Sequence, residues 1–260
     1  MVASGPESDD AGDRALPQAV APTADESARP MPGLPRLPLM VAAIVAGLIA
    51  VAGGEAANEI IPPEIVHIHA LGGDIAVNSR DTPKVVTQTS ALAFGTLGLA
   101  LGALFGMAGG VSRRPIRVSR IALASGVGGL LGAGLGVAVA LGLVPIVMNV
   151  RQRYSDPPIW YGIVHHLTAT APLGLVAGLA FSIGWGDRRL ILRAALAAMG
   201  GAIAGSVSSD IFSAIAFPLA RTDSPLAETM TSRFAARLLV TFGTALALVA
   251  TPLPEEPTTS

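Results

Sequence analysis

Cysteine is absent from this sequence, and aromatic and charged residues are scarce. Without a thiol, the chain can form no disulfide, no thiolate-ligated zinc or iron–sulfur site and no cysteine nucleophile. Aromatic residues make up 4% of the chain and the formal net charge is −1, so there are few rings for base stacking and no basic field for phosphates. Nucleic acid is therefore not an expected partner.

Motifs of the common catalytic centres are missing as well. The sequence has no Gly-x-Ser-x-Gly nucleophile elbow, no phosphate-binding glycine loop that ends in Lys, and no His-Glu-x-x-His zinc motif. Its glycine pairs lie inside apolar segments that no strand precedes, which is typical of helix packing rather than of nucleotide binding. The sequence therefore predicts that the chain is not an enzyme, and it leaves any cofactor unknown.

Long apolar segments dominate the sequence instead. Hydrophobic residues make up 51% of the chain and charged residues 13%, whereas soluble domains carry about 25% charged residues. A bilayer core about 30 Å thick requires a helix of about 20 residues, and continuous runs favour helices over alternating barrel strands. We therefore predict an all-α, polytopic bundle of six transmembrane helices, in residues 38–58, 88–110, 119–143, 163–184, 190–217 and 233–251.

Composition divides the chain into three parts. Residues 1–37 are rich in Pro, Ala, Ser and acidic residues and have no apolar period, so we expect a disordered N-terminal tail. Residues 38–251 form the predicted six-helix transmembrane domain, and residues 252–260 form a C-terminal tail. The lipid bilayer is accordingly the first expected partner.

Arginine clusters indicate the orientation, because short cytoplasmic loops beside transmembrane helices carry an excess of Lys and Arg. The loop between the second and third segments and the loop between the fourth and fifth contain Arg113, Arg114, Arg117, Arg120, Arg188, Arg189 and Arg193. We therefore predict a multi-pass protein of the cell (inner) membrane with both termini in the cytoplasm. Residues 59–87, 144–162 and 218–232 would then face outward, although further arginines there weaken the bias.

The same order of features occurs three times along the membrane domain. Each time a helix ends near a proline, at Pro62, Pro145 or Pro218, and an outer loop and a returning helix follow. We therefore predict three tandem helical hairpins, which could pack around a pseudo-threefold axis. Glycines recur every fourth residue, as at Gly98 and Gly102, and this spacing favours close helix packing. A sliding transporter helix is the functional alternative.

Polar residues interrupt the outer parts of two predicted helices. Glu55 lies seven residues before Pro62 and Asp210 lies eight before Pro218, so the two acids occupy matching places in the first and third repeats. Ionisable groups at membrane depth usually face a bundle interior or a wet cavity, which predicts a solute or ion path. Capping and hydration of the helix ends is the structural alternative. The predicted path residues are Glu55, Asn58, Glu59, Ser206, Ser209 and Asp210.

All four histidines lie on the predicted outer side. Neutral imidazole binds zinc, nickel, cobalt and copper ions, and a neighbouring carboxylate can add an oxygen ligand. In an extended segment His67 and His69 would share one face, whereas adjacent helical His165 and His166 diverge by about 100°. The candidate metal ligands are therefore His67, His69, Glu64 and His166. An amphipathic interface belt of His, Trp and Tyr is the alternative interpretation.

Several phrases of the sequence resemble the predicted cobalt-transporter (CbtA-like) membrane family. They are Ala93-Phe94-Gly95 through Leu104-Phe105-Gly106, Leu143-Val144-Pro145, and Ser232-Arg233-Phe234-Ala235-Ala236-Arg237. The resemblance implies uptake of cobalt or a related divalent ion, with a small membrane partner protein that supplies further histidines. By position, His67 and His69 would be the matching external residues, although the family's extended histidine cluster is missing from this loop.

The function predicted from the sequence is a transporter or permease component for a small solute, with a divalent metal cation of the cobalt or nickel type as the favoured substrate. The competing hypothesis is a non-transporting membrane scaffold or assembly factor. Substitution of the acids Glu55 and Asp210 discriminates between the two hypotheses, because only a transporter needs them for uptake.

Overall fold

Six helices make up the bundle, and each is long and apolar enough to cross a membrane. The computed structural model describes residues 36–70, 73–113, 115–154, 159–217 and 229–252, and only the backbone of residues 67–70, 73–78, 159 and 160. The helices are α1 (Arg36–Ile60), α2 (Pro83–Ser112), α3 (Val118–Arg153), α4 (Ile159–Trp185), α5 (Ile191–Ala216) and α6 (Met230–Val249). The prediction of an all-α membrane bundle is confirmed.

The two predicted tails lie outside the described residues except at their inner edges. The helix α1 begins at Arg36, two residues before the predicted boundary, and the described part of the chain ends at residue 252. The order and structure of the tails therefore stay predictions.

Local sequence signals account for several helix ends. Pro83 occupies the first turn of α2, where its missing N–H costs nothing. The N-cap Thr229 of α6 accepts a hydrogen bond at its side-chain oxygen from the Ser232 backbone N–H. After α4 the chain turns at Gly186, whose φ of 76° lies in the left-handed region that glycine adopts without strain.

The helix α3 corrects one sequence-based expectation. The second rising helix was expected to end near Pro145 and to be followed by an outer loop over residues 144–162, yet α3 continues through Pro145 to Arg153. A proline inside a helix costs about 3 kcal/mol because a hydrogen bond is lost. The helix persists because Val144, Val147 and Met148 are buried on both sides of this proline. Its 36 residues span about 54 Å at 1.5 Å per residue, well beyond one bilayer core.

A β-hairpin connects α1 to α2, which the sequence interpretation did not anticipate. Its strands, β1 (Glu64–Ala70) and β2 (Gly73–Ser79), pair antiparallel with Glu64 opposite Ser79 and His67 opposite Ala76. This hairpin lies at the same end of the bundle as the last turns of α1, α3 and α5 and the first turns of α2, α4 and α6. We call this end the hairpin end. The opposite end, with the arginine-rich turns after α2 and α4, is called the arginine end.

The helices form a closed ring in chain order, because each packs against the next and α6 packs against α1. These neighbours run antiparallel, as three successive hairpins require. One contact breaks the equivalence of the hairpins: α2 also packs extensively along α4, in parallel, whereas α6 makes much less contact with α4. The three-hairpin order is therefore present without a full threefold arrangement.

Glycines hold neighbouring helices at backbone contact. A Cβ placed on Gly102 would overlap the Gly128 carbonyl group, and a Cβ on Gly98 would overlap that of Gly132. Comparable contacts join α4 to α5, α5 to α6 and α2 to α4. Lipid tails are as apolar as leucine, so association of helices depends on this close packing rather than on a hydrophobic force. The glycine pattern thus serves packing, as the sequence indicated.

The large apolar core lies toward the arginine end. It joins α1, α2, α4, α5 and α6, and its largest fully buried side chains are Leu39, Leu101, Phe105, Leu173, Phe181, Leu190 and Leu248. The helix α3 lies outside this core and packs against α2 and α4. A smaller apolar cluster lies on α3 near the hairpin end and consists of Ala140, Val144 and Met148. Nearer the hairpin end, the interior of the bundle contains buried polar side chains as well.

Candidate functional site

Buried polar side chains concentrate in the half of the bundle at the hairpin end. In this half, buried polar residues come from α2, α4, α5 and α6: they are Thr89, Ser90, His165, Thr170, Ser206, Ser209, Ser232 and Arg237. Toward the arginine end the buried polar residues in the described part of the chain are Ser182 and Thr251, and the buried Thr241 and Thr244 lie past the middle of α6. Because a buried polar group is costly without a partner, this concentration marks the candidate functional site.

An ion pair between α1 and α6 is the strongest polar contact in this half. The guanidinium of Arg233 donates from Nε to Glu55 Oε1 at 2.7 Å and from Nη2 to Glu55 Oε2 at 2.9 Å. This two-pronged geometry fixes both side chains, since the planar guanidinium matches the carboxylate. The pair is partly buried, with 16% of the Arg233 side chain and 27% of the Glu55 side chain exposed.

Arg237 lies one helical turn deeper on α6 and is 7% exposed. Its guanidinium occupies the space beside Gly54, where any Cβ would overlap it, and Nη1 donates to the Val51 carbonyl oxygen at 3.3 Å. Arg237 is also near enough to Glu55 and Arg233 to interact electrostatically with both. The glycine of α1 therefore makes room for a charged side chain inside the bundle.

A second charged pair connects α4 to α5. His166 Nδ1 lies 2.7 Å from Asp210 Oδ1, and both side chains are about one-fifth exposed, at 20% and 18%. The other carboxylate oxygen, Asp210 Oδ2, is buried and has no hydrogen-bond partner among the described residues. Asp210 therefore keeps acceptor capacity that the described protein groups do not fill.

His165 is more deeply buried than its neighbour, with 3% of its surface exposed. Neither of its ring nitrogens has a hydrogen-bond partner within the described part of the chain, and the same holds for the buried hydroxyl of Ser90. The rings of His165 and His166 are 4.6 Å apart between centroids. The first turns of α4 thus place one imidazole against the carboxylate of α5 and bury a second imidazole beside the first.

The predicted path residues divide into separate contacts. Glu55 pairs with Arg233 and Asp210 with His166, so each carboxylate has its own basic partner rather than the other acid. Ser206 and Ser209 are buried, and the Ser209 hydroxyl donates to the Ser206 carbonyl oxygen at 2.7 Å. Of the remaining two, Glu59 is exposed, and the backbone carbonyl oxygen of Asn58 accepts a hydrogen bond from the Arg80 guanidinium.

The candidate metal ligands are only partly described. The backbone of His67 and His69 is extended in β1, as the sequence interpretation assumed, but their side chains lie outside the described residues. Glu64 is half-buried at the start of β1, and His166 contacts Asp210 on α5. Among the side chains that the structure describes, no three His, Asp or Glu residues are arranged to hold a metal ion.

Arg233 and Arg237 are the site residues that sequence reasoning missed. The predicted sixth helix includes both, but they were considered only as outer arginines that weaken the orientation signal. In the structure they lie on one face of α6, four residues apart. The available signal was their position at the start of an apolar helix, since an arginine at membrane depth is rare and usually functional. Their spacing would have placed them together on the interior face.

Comparisons of the chain with protein-family models, with curated proteins and with solved structures found no match. The resemblance to the CbtA-like cobalt-transporter family accordingly rests on the sequence phrases alone and stays a prediction.

Proposed function

We propose that this chain is a membrane transporter or permease component for a small solute, which enters the bundle from the hairpin end. The observation that carries the proposal is the uneven interior: most of the buried polar side chains and the buried charge of Arg237 lie in one half, and the large apolar core fills the other. Charges inside a membrane bundle are costly and are typically retained where they meet water, ions or substrate. A bundle with a purely structural role does not need buried charges in one of its halves.

A stripe of polar residues on α6 gives the proposed path its direction. Arg233, Arg237, Thr241 and Thr244 follow one another at helical spacing on one face of α6. Their exposure falls inward, from 16% for the Arg233 side chain to 7% for Arg237 and 0% for both threonines. This pattern supports a polar entrance that narrows toward the middle of the bundle.

The apolar core supports a closed far side. Phe105 and Phe181 are fully buried toward the arginine end, and the Phe181 ring stacks on Trp185 with centroids 6.0 Å apart. A hydrated solute would not cross such an interior without rearrangement, because its polar groups would lose their hydrogen bonds. A polar half that admits the solute and a packed half that excludes it would provide the asymmetry that alternating access requires.

Uptake by a double variant tests the proposal. Glu55→Gln together with Asp210→Asn removes both interior carboxylates, and we expect it to abolish solute uptake while membrane abundance stays within about twofold of the wild type. Asp81→Asn, at an exposed position near the same end, is the matched control. The assay measures uptake of Co²⁺, Ni²⁺, inorganic phosphate and acetate into proteoliposomes. Unchanged uptake in the double variant, or no protein-dependent uptake of any solute, would favour the scaffold alternative.

A divalent cation of the cobalt or nickel type is the substrate that the sequence favours. Support for it comes from His67 and His69 in the hairpin and from the carboxylates below them. If the two histidines only collect ions at the entrance, their joint replacement by Gln raises the apparent KM for Co²⁺ several-fold and leaves the maximal rate unchanged. An unaltered KM would remove the histidines from the proposed path.

The proposed location is the cell (inner) membrane, with the arginine end in the cytoplasm. Both arginine-rich turns lie at the same end of the bundle, which agrees with the positive-inside rule. We expect cytoplasmic reporters to be active when they are fused after Arg117 or Arg189 and inactive when fused after Asp74. Activity after Asp74 and inactivity at both arginine turns would reverse the orientation.

A further inference from the structure

Arg237 carries a positive charge inside the bundle without a carboxylate of its own. Both oxygens of Glu55 are engaged by Arg233, so Glu55 acts on Arg237 only through space. The other interior carboxylate, Asp210, contacts His166 on α4. A buried arginine that lacks a bonded counter-charge is expensive at membrane depth, and the cost is removed when an anion binds to it.

The hydrogen-bonding capacity of Arg237 is also largely unused. A guanidinium has five N–H donors, and among the described residues that of Arg237 makes one hydrogen bond, to the Val51 carbonyl oxygen at 3.3 Å. This distance lies beyond the usual range for an N–H···O bond, so the contact is weak. The fork of donors matches two oxygens of a carboxylate or a phosphate, a geometry that a lysine cannot offer.

The surroundings of Arg237 explain why its charge is kept in place. Gly54 gives its guanidinium room against α1, and the Glu55–Arg233 pair stands one turn closer to the hairpin end. Toward the middle of the bundle, the hydroxyls of Thr241 and Thr244 already donate to carbonyl oxygens of their own helix. The charge of Arg237 is thus the deepest one on the polar face of α6.

We propose that Arg237 binds a small oxyanion, a solute with a carboxylate or phosphate group, at the inner end of the polar half. The proposal rests on the transport function proposed above and names an oxyanion, in place of the divalent cation that the sequence favours, as the chemical class of the solute. One guanidinium contributes one positive charge, so a singly charged anion neutralises it. The ion pair of Glu55 and Arg233 orients the entrance, and the apolar core beyond Arg237 stops the anion until the bundle rearranges.

Thermal unfolding of the purified full chain in detergent tests the anion site. Sodium acetate and sodium phosphate are titrated at pH 6 against sodium chloride at constant ionic strength, with cobalt chloride as the cation probe. We expect both oxyanions to raise the Tm of the wild type in a saturable manner, because a ligand that binds only the folded state stabilises it. Cobalt chloride is expected to leave the Tm unchanged.

Variants assign the effect to Arg237. We expect R237Q to weaken the apparent affinity for the oxyanion at least about tenfold, as loss of a charged hydrogen-bond partner implies. R237K, which keeps the charge but loses the fork, should give an intermediate affinity. The matched control is R153Q, an exposed arginine near the hairpin end, which should titrate as the wild type does. If R237Q does not fold, the difference in oxyanion affinity between the wild type and R237K shows whether Arg237 binds the anion.

Three outcomes would overturn the anion site: no saturable Tm increase with either oxyanion in the wild type, equal affinities in the wild type and R237Q, or equal affinities in the wild type and R237K. If the wild type nevertheless carries Co²⁺ into proteoliposomes, the transporter proposal survives and only the substrate class is wrong. If oxyanions bind at Arg237 but neither oxyanions nor Co²⁺ or Ni²⁺ are carried into proteoliposomes, the anion site is supported and the transporter proposal fails.

Discussion

The two ends of the bundle carry their arginines in different places. At the arginine end the described arginines of the two arginine-rich turns lie between helices or in the first turns of α3 and α5, and Arg113 Nη1 donates to the Trp185 carbonyl oxygen at 2.8 Å. In the half near the hairpin end, Arg233 and Arg237 point into the bundle and meet Glu55. One end therefore uses arginine to join turns, whereas the other accepts the cost of charge in its interior. That cost is the basis for the solute path that we propose at the hairpin end.

The largest loss of stability is expected at Gly102, a position that serves packing and lies outside the polar half. Gly102→Leu places a side chain against the Gly128 carbonyl group, so α2 and α3 must separate along their whole contact. We expect a loss of about 3 kcal/mol or more, the upper end of overpacking effects. The measurement is the thermal unfolding midpoint after detergent extraction, together with the yield of folded protein.

Gly126→Leu is the matched control for this prediction. A Cβ at Gly126 meets no atom within 4 Å, and the position is exposed on α3. The same substitution there should leave the unfolding midpoint almost unchanged. Equal loss of stability in the two variants would mean that the backbone contact between α2 and α3 does not hold the bundle together.

An intermediate effect is expected when the ion pair at the hairpin end is broken. Glu55→Gln leaves Arg233 and Arg237 without their nearest carboxylate, and we expect a loss of about 1–3 kcal/mol for this partly exposed pair. The double variant with Arg233→Gln should be less destabilised than the sum of the single variants. Unfolding midpoints of the four proteins give this coupling energy, and strictly additive effects would argue against the pair.

The smallest effect is expected at the contact between α4 and α5. His166→Gln keeps a hydrogen-bonding side chain beside Asp210 but removes the imidazole, so we expect a loss of about 1 kcal/mol or less in stability. Solute uptake, in contrast, should fall, because Asp210 belongs to the polar half. A variant that loses stability and keeps full uptake would assign this contact to packing alone.

Sequence periodicity was sufficient to find the helices, because long apolar runs in a membrane have few structural alternatives. It did not predict that α3 continues through Pro145. A proline is a local signal, whereas the burial of Val144 and Val147 depends on which helix lies beside them. The β-hairpin was missed because β1 and β2 are short and β1 was considered only for its histidines.

The site could be predicted only in part. The positions of Glu55 and Asp210 among apolar residues drew attention to the half of the bundle in which both lie. Their partners could not be read from the chain, because the choice of Arg233 for Glu55 follows from the contact between the first and last helices. Considering Arg233 and Arg237 only for the membrane orientation left their interior charge out of the predicted site.

The contact between Glu55 and Arg233 also constrains how the protein is made. The two residues are 178 positions apart in the chain, so α1 enters the membrane long before α6 exists. At translation rates of about 5–20 residues per second, the interval is roughly 10 to 40 seconds. During that time the carboxylate of α1 needs water, a lipid headgroup or an insertion factor as a substitute for its arginine. The position of Glu55 near the end of α1, rather than at its centre, makes such a wait tolerable during biogenesis.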